Sequence, residues 1–230
     1  MSIENEKRLA GEAAAEFVES GMTVGLGTGT TVAALLPALA RRMLSVRYIT
    51  SSCRTEQLAI SLGLHVEPFR KLERLDLAID SADQIAPTGW LNKGKGAAHT
   101  REKIIAAASD RFIIIADSTK VVSRLGAPVP LELMGFGLSA TLRRLKSVTL
   151  REDAPPSPDG GVIADFLARP EDPLTDPLLL STWLKTVPGV VEHGLFPPEL
   201  VTEAYVARGN SVDRLVFPKF ASPATWLKIK

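Results

Sequence analysis

Cysteine is almost absent from this chain. Cys53 is the only one among 230 residues, so an intrachain disulfide is excluded, and such a count is typical of a reducing compartment. An excess of one charge is also missing, because 27 Lys and Arg residues are balanced by 26 Asp and Glu residues, for a formal net charge of +1. The chain therefore lacks the basic field of a general nucleic-acid-binding protein.

Long apolar runs and paired histidines are missing as well. No run approaches the ~18 apolar residues of a membrane-spanning helix. The first residues are charged and do not form an apolar stretch behind a basic end, which argues against a signal peptide. The three histidines (His65, His99 and His193) are scattered, without ligand spacing. We therefore expect a cytoplasmic protein with no membrane partner, no nucleic-acid partner, no dedicated metal site and no cofactor.

What is present begins with strands that alternate with helices over the first 125 residues. The apolar pattern predicts helices over residues 3–19, 32–43, 55–62, 97–108 and 118–125, and strands over residues 22–26, 46–51, 64–68, 75–80 and 111–116. This order indicates a mostly parallel sheet covered on both faces. Because ligands bind at the carboxyl ends of such strands, the Gly27 loop, the Asp80 motif and the Asp117 turn are expected to share one site.

The pattern changes after Pro130. Strands are predicted over residues 131–134, 147–151, 162–167 and 190–196, with helices over residues 138–145 and 178–186. This β-α-β-β-α-β order is that of a ferredoxin-like unit. Strands over residues 205–207 and 215–217 are expected to rejoin the first sheet. The predicted architecture is α/β, a Rossmann-like domain of residues 1–129 and 206–230 with an inserted ferredoxin-like α+β domain of residues 130–205.

A glycine-rich loop, GLGTGTT at residues 25–31, follows the first predicted strand and opens a helix. Glycines allow close backbone approach, and the free N–H groups of a helix start attract an anion. Val32 stands where a dinucleotide fingerprint needs its third glycine, and no Gly-Lys-Ser/Thr follows. A small phosphate is therefore the better ligand, and a tight strand-to-helix turn is the structural alternative. The candidate residues are Gly27, Thr28, Gly29, Thr30 and Thr31.

A second group combines carboxylates with a cation. Asp80 and Asp83 follow a predicted strand, and Lys93 opens a glycine-broken loop that leads to a helix bearing Glu102. Each residue alone has a structural explanation, as a helix cap, a solvated lysine or a carboxylate near a helix N-terminus. Together they are the parts needed to move a proton on a sugar while holding the developing oxyanion. They indicate an enzyme for a small, oxygen-rich, phosphorylated substrate.

These motifs together resemble the ribose-5-phosphate isomerases of the A type. The resemblance runs over nearly the whole chain and rests on ordered segments: GLGTGTT at 25–31, DSAD at 80–83, KGKGAAHTREKI at 93–104, ADSTK at 116–120, PVPLE at 128–132 and VPGVV at 187–191. It implies metal-independent interconversion of ribose 5-phosphate and ribulose 5-phosphate through a cis-enediolate. It also implies the two-domain fold given above, assembled as a homodimer or homotetramer.

The resemblance also implies a role for each motif residue. Glu102 would be the general base, Asp80 and Asp83 would bind sugar hydroxyls and assist ring opening, and Lys93 would stabilise the enediolate oxygen. The backbone of Gly94, Lys95 and Gly96 would support that oxygen. The phosphate would be held by Thr28, Thr30, Thr31, Lys7 and Lys120, although the two lysines alone are more simply explained as solvated side chains.

Three positions depart from the family pattern. Ser81 replaces a glycine, with an expected strain of about 1 kcal/mol if its φ is positive. Gln84 replaces a glutamate but keeps an acceptor. Lys95 interrupts consecutive glycines, where it would lower the pKa of Glu102, obstruct the sugar or accept a more anionic substrate. Two alternatives to the isomerase stay open: a non-catalytic sugar-phosphate sensor, and an isomerase for a different phosphorylated sugar.

Overall fold

The computed structural model describes residues 2–70, 72–152, 154–168 and 176–217, together with the backbone of Thr225–Lys228. The helices are α1 (Ile3–Ala15), α2 (Thr30–Arg41), α3 (Cys53–Ser61), α4 (His99–Ala107), α5 (Leu138–Leu145) and α6 (Pro177–Lys185). The strands are β1 (Thr23–Leu26), β2 (Arg47–Thr50), β3 (Leu77–Ser81), β4 (Gln84–Ile85), β5 (Leu91–Asn92), β6 (Phe112–Asp117), β7 (Val129–Leu133), β8 (Val148–Leu150), β9 (Val162–Phe166), β10 (Val190–His193), β11 (Leu195–Phe196), β12 (Glu203–Arg208), β13 (Ser211–Val216) and β14 (Thr225–Lys228).

A seven-stranded sheet in the order β14-β13-β12-β6-β3-β1-β2 forms the centre of the fold. The strands from β12 to β2 are parallel, and β13 and β14 extend the sheet in antiparallel fashion. All of β6 is buried, and its residues alternate between two cores: Ile113 and Ile115 pack on the side of α1 and α2, and Ile114 packs on the opposite side. The predicted α/β class with a mostly parallel sheet is confirmed.

A four-stranded antiparallel sheet, in the order β10-β7-β9-β8, lies between β6 and β12 along the chain. Leu131 and Ala164 from its strands pack with Leu180 and Leu184 of α6 in a separate core. The element order β7-α5-β8-β9-α6-β10 is the β-α-β-β-α-β order that the sequence predicts. The boundaries predicted after residues 129 and 205 fall inside β7 and β12, so we propose a division before Val129 and before Glu203, which leaves both strands whole.

Three local expectations are corrected, and one small sheet was not expected. The strand expected over residues 64–68 is a single parallel bridge between Tyr48 and Val66. The helix expected over residues 118–125 is one 3-10 turn, Ser118–Lys120. The strand expected over residues 190–196 is divided at Gly194, since β10 belongs to the four-stranded sheet and β11 to another. That other sheet, in the order β11-β5-β4, was not predicted because its two-residue strands are too short for a periodic pattern.

The helices of the described residues are all too short or too polar to cross a bilayer.

Candidate active site

The site lies where the central sheet changes direction. From β1 the chain crosses through α2 to β2 on one side, and then returns to β3 on the other side of β1. A crevice at the carboxyl ends of the strands is expected at such a switch point. The Gly27 loop, Asp80 and Asp117 end the adjacent strands β1, β3 and β6. The predicted convergence of these three segments is therefore confirmed.

A cavity of about 500 Å³ opens at this point. The predicted residues that line it are Lys7, Thr28, Gly29, Thr30, Thr31, Asp83, Lys93, Gly94, Lys95, Gly96, Glu102 and Lys120. The predicted residues that lie behind its wall are Gly27 and Asp80. A Cβ on Gly27 would lie 1.8 Å from the Asp80 carboxyl carbon, so glycine is required for the loop to pass this carboxylate.

Two hydroxyl groups at the start of α3 hold the Gly27 loop in place. Thr55 Oγ1 donates to the Gly27 carbonyl at 2.9 Å, and Ser52 Oγ donates to Thr28 Oγ1 at 2.9 Å. Ser52 also caps α3 by accepting from the Thr55 amide. Gly29 adopts a φ of +113° immediately before α2, and Thr30 and Thr31, the first residues of that helix, line the cavity, so the helix start with its free N–H groups lies beside it. Sequence patterns alone gave no reason to include Ser52 and Thr55.

Lys93 lies between two buried carboxylates. Its Nζ donates to Asp80 Oδ2 at 2.8 Å and lies 3.2 Å from Glu102 Oε2. It also donates to the Ser81 carbonyl. Lys93, Asp80 and Glu102 are each no more than 3% exposed. Asp80 Oδ1 accepts from the amides of Thr28 at 3.2 Å and Ser81 at 2.6 Å, whereas Glu102 Oε2 accepts no hydrogen bond within the described part of the chain.

This arrangement shifts the pKa of all three groups. Burial, and then the negative charge of Asp80, raises the pKa of Glu102 to about 8, and Lys93 opposes this rise. Burial also raises the pKa of Asp80. Burial alone would lower the pKa of Lys93, but the two carboxylates raise it above its usual value. One ammonium compensates one carboxylate, so the second carboxylate retains a proton near neutral pH, in the range that suits a general base.

The three departures from the family pattern have definite outcomes. Ser81 does not have a positive φ, so the condition under which strain was expected is not met. Ser81 Oγ donates to the Thr28 carbonyl at 3.0 Å and so joins two loops of the site. Gln84 Oε1 accepts from the Gly126 amide at 2.7 Å, so Gln84 acts as a hydrogen-bond acceptor as expected.

Lys95 does not have the electrostatic effect that the sequence suggested. The pKa of Glu102 is raised, not lowered, and Lys93 is the main opposing cation. The backbone amide of Lys95 donates to Asp83 Oδ2 at 3.0 Å, while its exposed side chain lines the cavity. The loop of residues 93–96 thereby holds Asp83 at the cavity.

The remaining wall brings together residues from distant segments. Lys7 lines the cavity and its Nζ forms an ion pair with Glu4 at 2.7 Å, and Lys120 ends the 3-10 turn after β6. Arg54, Asp117 and Thr119 also line it. Asp117 was signalled by its place at the end of β6, but Arg54 carried no sequence signal. Among the described residues, no three His, Cys, Asp or Glu side chains converge as metal ligands.

Comparison with known proteins agrees with this geometry. The family model described as ribose 5-phosphate isomerase A (phosphoriboisomerase A) matches residues 47–211. A protein of Caulobacter sp. (strain K31) named ribose-5-phosphate isomerase A is 42% identical over 229 residues, which is 94% of this chain and 100% of the relative. The chain belongs to the ribose 5-phosphate isomerase A family.

Solved structures of ribose 5-phosphate isomerases share the fold. That of ribose 5 phosphate isomerase A from Neisseria gonorrhoeae superimposes with a TM-score of 0.87 at 28% identity, covering 94% of this chain and 97% of that chain. A D-ribose-5-phosphate isomerase in complex with phospho-erythronic acid gives a TM-score of 0.85 at 31% identity, covering 94% of this chain and 100% of that chain. The family resemblance seen in the motifs is therefore confirmed along the chain.

Proposed function

We propose that this chain interconverts D-ribose 5-phosphate and D-ribulose 5-phosphate through a cis-enediolate, the aldose–ketose step of the non-oxidative pentose phosphate pathway. The observation that carries the proposal is the buried Lys93 between Asp80 and Glu102 beside a cavity with a helix N-terminus at one end. Family membership supports the same reaction.

In the proposed mechanism, Glu102 removes the proton from C2 of the open-chain aldose. The C–H electrons form the C1–C2 double bond, and the carbonyl electrons move onto O1. The ammonium of Lys93 and the backbone of Gly94–Gly96 stabilise the negative oxygen in this low-dielectric site. Glu102 then returns its proton to C1, the C2 oxygen becomes the carbonyl, and a proton passes from O2 to O1.

The two aspartates have different surroundings, which favours different roles. Asp83 lines the cavity, and we infer that it binds the sugar hydroxyls and assists ring opening. Asp80 lies behind the wall, and both of its oxygens accept hydrogen bonds from the protein. We infer that Asp80 mainly holds Lys93 in place; its predicted contact with the sugar stays a prediction.

The phosphate is proposed to bind at the start of α2. Thr28, Thr30 and Thr31 supply hydroxyls there, and Thr30 and Thr31 also supply amides, whereas the Thr28 amide donates to Asp80. Lys7 and Lys120 line the same cavity and supply positive charge. A neighbour of the same fold was solved with phospho-erythronic acid, an acyclic sugar-acid phosphate, which supports a phosphorylated sugar as the ligand class here. Two further cations line the cavity: Arg54 lies outside the family motifs, and Lys95 lies inside one of them at a position that departs from the family pattern.

The deciding experiment compares Glu102→Gln with the unmodified protein. We expect turnover of ribose 5-phosphate, measured with chelator present, to fall by about 10²–10⁴-fold or more, because the proton acceptor is lost. Affinity for the sugar phosphate, measured by calorimetry, should stay within about threefold because the phosphate contacts are unchanged. Glu12→Gln, on the exposed face of α1, is the matched control.

Three other outcomes would change the proposal. Near-normal turnover in Glu102→Gln would mean that another group is the base. An unmodified protein that binds the sugar phosphate without turnover would favour the sensor. Turnover of a different phosphorylated sugar alone would favour an isomerase with changed specificity, and Arg54 and Lys95 would be the first residues to test.

We also infer a homo-oligomer, dimer or tetramer, in the cytoplasm. In support, three large apolar side chains on or just after the neighbouring strands β7 and β10 are exposed: Met134 at 52%, Phe136 at 91% and Val191 at 47%. Exposed apolar patches of this kind are typical of interfaces. Light scattering on the purified protein tests the assembly, and a monomer at micromolar concentration would contradict it.

A further inference from the structure

A buried polar cluster lies on the side of α4 away from the cavity. Lys103 follows Glu102 directly and therefore projects about 100° further around the helix. Its side chain does not line the cavity. Its Nζ donates to the His193 carbonyl at 2.6 Å and to Glu192 Oε1 at 2.7 Å, both on β10. Lys103 thus joins the helix that bears Glu102 to the four-stranded sheet.

The next residue along the chain, Gly194, contacts the main chain of Lys93. The Gly194 carbonyl accepts from the Lys93 amide at 2.8 Å, and the Gly194 amide donates to the Pro130 carbonyl at 2.7 Å. A Cβ on Gly194 would lie 2.0 Å from the Lys93 carbonyl oxygen, so no other residue fits without displacement. Lys103 therefore holds the carbonyl of His193, and the carbonyl of the next residue, Gly194, accepts the hydrogen bond from the Lys93 amide.

A shared aromatic ring provides the second link. Phe196 is fully buried on β11, and its ring centre lies 5.3 Å from Lys93 Nζ and 4.9 Å from Lys103 Nζ. Ammonium groups at such distances are attracted to the ring face by its quadrupole. The two lysines therefore contact one ring, and a shift of either lysine changes the surroundings of the other.

Lys103 carries the positive charge of this cluster. Burial and the nearby Lys103 lower the pKa of His99 to about 4 and that of His193 to about 2, so both imidazoles are neutral at physiological pH. Lys185, on α6, adds to the effect at His193. Burial lowers the pKa of Lys103 itself to about 8, while Glu192 opposes this shift. A buried cation is costly unless it is paired and hydrogen-bonded, and the contacts of Lys103 with Glu192 and the His193 carbonyl meet this condition.

We propose that Lys103 is a positioning residue for the isomerase: it fixes the His193–Gly194 peptide and the Phe196 ring, and these set the main chain and ammonium of Lys93 between Asp80 and Glu102. This inference rests on the proposed function, because Lys93 acts in catalysis there. Lys103 itself touches no substrate.

The test replaces Lys103 by Met and follows both kinetics and the Lys93 loop. We expect kcat to fall at least tenfold while KM for ribose 5-phosphate changes less than twofold, because the phosphate end is untouched. Amide hydrogen exchange of the segment 91–96 should accelerate at least tenfold. Lys103→Arg, which keeps the charge and donors, should recover most of kcat. Lys185→Met, an exposed lysine near the same cluster, is the matched control.

Unchanged kcat in folded Lys103→Met would overturn the proposal, and so would a loss of kcat with unchanged exchange at residues 91–96. If Lys103→Met does not fold, Phe196→Leu removes the shared ring while keeping an apolar side chain beside Phe112, and we expect a several-fold loss of kcat with the same exchange signature. Unchanged kcat or unchanged exchange at residues 91–96 in Phe196→Leu would overturn the proposal equally. Should the unmodified protein show no isomerase turnover, the proposed function fails, while the exchange measurement still tests the link from Lys103 to Lys93.

Discussion

At the scale of single residues, the chemistry of Glu102 is set by its neighbours. An isolated glutamate in the first turn of a helix would be ionised and stabilised by the helix dipole. Here burial and Asp80 raise its pKa to about 8, and Lys93 limits the rise. In the proposed mechanism this carboxylate is therefore a base whose pKa lies near the physiological range.

Asp80→Asn tests this electrostatic origin. Removal of the Asp80 charge leaves Lys93 to stabilise the Glu102 carboxylate alone, so the pKa of Glu102 should fall. The base acts in its deprotonated form, and therefore the acid limb of kcat/KM, expected near pH 8 in the unmodified protein, should move to lower pH by about one unit or more. The measurement is the pH profile of kcat/KM for ribose 5-phosphate in the variant and in the unmodified protein.

Asp213→Asn, on β13 and not among the residues that line the cavity, serves as control and should keep the profile of the unmodified protein. An acid limb that stays in place in Asp80→Asn would show that Asp80 does not raise the pKa of Glu102.

At the scale of elements, the loop that carries Lys93 is held from three sides. Gly194, between β10 and β11, accepts from the Lys93 amide, and Asp83 accepts from the Lys95 amide. The small sheet contributes Arg151, just after β8, whose guanidinium donates to the Gly94 carbonyl at 2.9 Å. Arg151 is itself oriented by two hydrogen bonds to Asp165 of β9, at 2.7 and 2.6 Å. The four-stranded sheet therefore helps to shape a site built mainly by the central one.

Arg151→Met should loosen this loop. We expect kcat/KM to fall by about tenfold, since the Gly94–Gly96 backbone would no longer be held beside the enediolate oxygen. Unfolding free energy should fall by about 1–3 kcal/mol, because the Gly94 carbonyl and Asp165 lose a partner. Steady-state kinetics and urea denaturation measure both changes. Arg144→Met, which replaces an exposed arginine of α5, should leave kcat/KM and the unfolding free energy nearly unchanged. An equal effect of the two variants would argue against a specific role of the contact between Arg151 and Gly94.

At the scale of the whole molecule, Glu6 joins segments that are far apart in sequence. It is buried on α1, where Oε2 accepts from the Ser118 amide at 2.9 Å and Oε1 accepts from the Gly209 amide at 2.8 Å. These bonds tie the first helix to the turn after β6 and to the β12–β13 turn. Since Lys7 follows Glu6, they also fix the lysine that lines the cavity.

Glu6→Gln is expected to destabilise the fold by roughly 1–2 kcal/mol at pH 7. The Gly209 amide, opposed by burial and aided by Ser118, lowers the pKa of Glu6 below its ordinary 4.5. The stabilisation by the carboxylate is therefore present above pH 4.5 and is lost as pH falls through the lower, folded-state pKa. Chemical denaturation should show the difference between variant and parent narrowing below pH 4.5.

Glu12→Gln weakens two solvent-accessible ion pairs, with Arg8 on the same helix and with Arg41 on α2, and should cost less than about 1 kcal/mol at any pH. A pH-independent deficit in Glu6→Gln would contradict the role of its charge.

The sequence predicted the fold class, the β-α-β-β-α-β unit and twelve of the eighteen residues that line the cavity, since periodic apolar segments and ordered motifs are local patterns. It missed Arg54, Ser52 and Thr55, which enter the site only because α3 packs beside the β1 loop. It also missed the β4–β5–β11 sheet, whose strands of two residues carry no period.

The chain by itself determined which chemical groups are available: a glycine loop at a helix start, two aspartates, a lysine and a glutamate in a fixed order. Only the tertiary structure decided their protonation and their roles. The pKa of Glu102 depends on burial and on Asp80 and Lys93, which are separated from it along the chain and brought together by β3, β5 and α4. Likewise, Lys103 is one residue from Glu102, and its importance follows from contacts with β10 and β11 that no local pattern encodes.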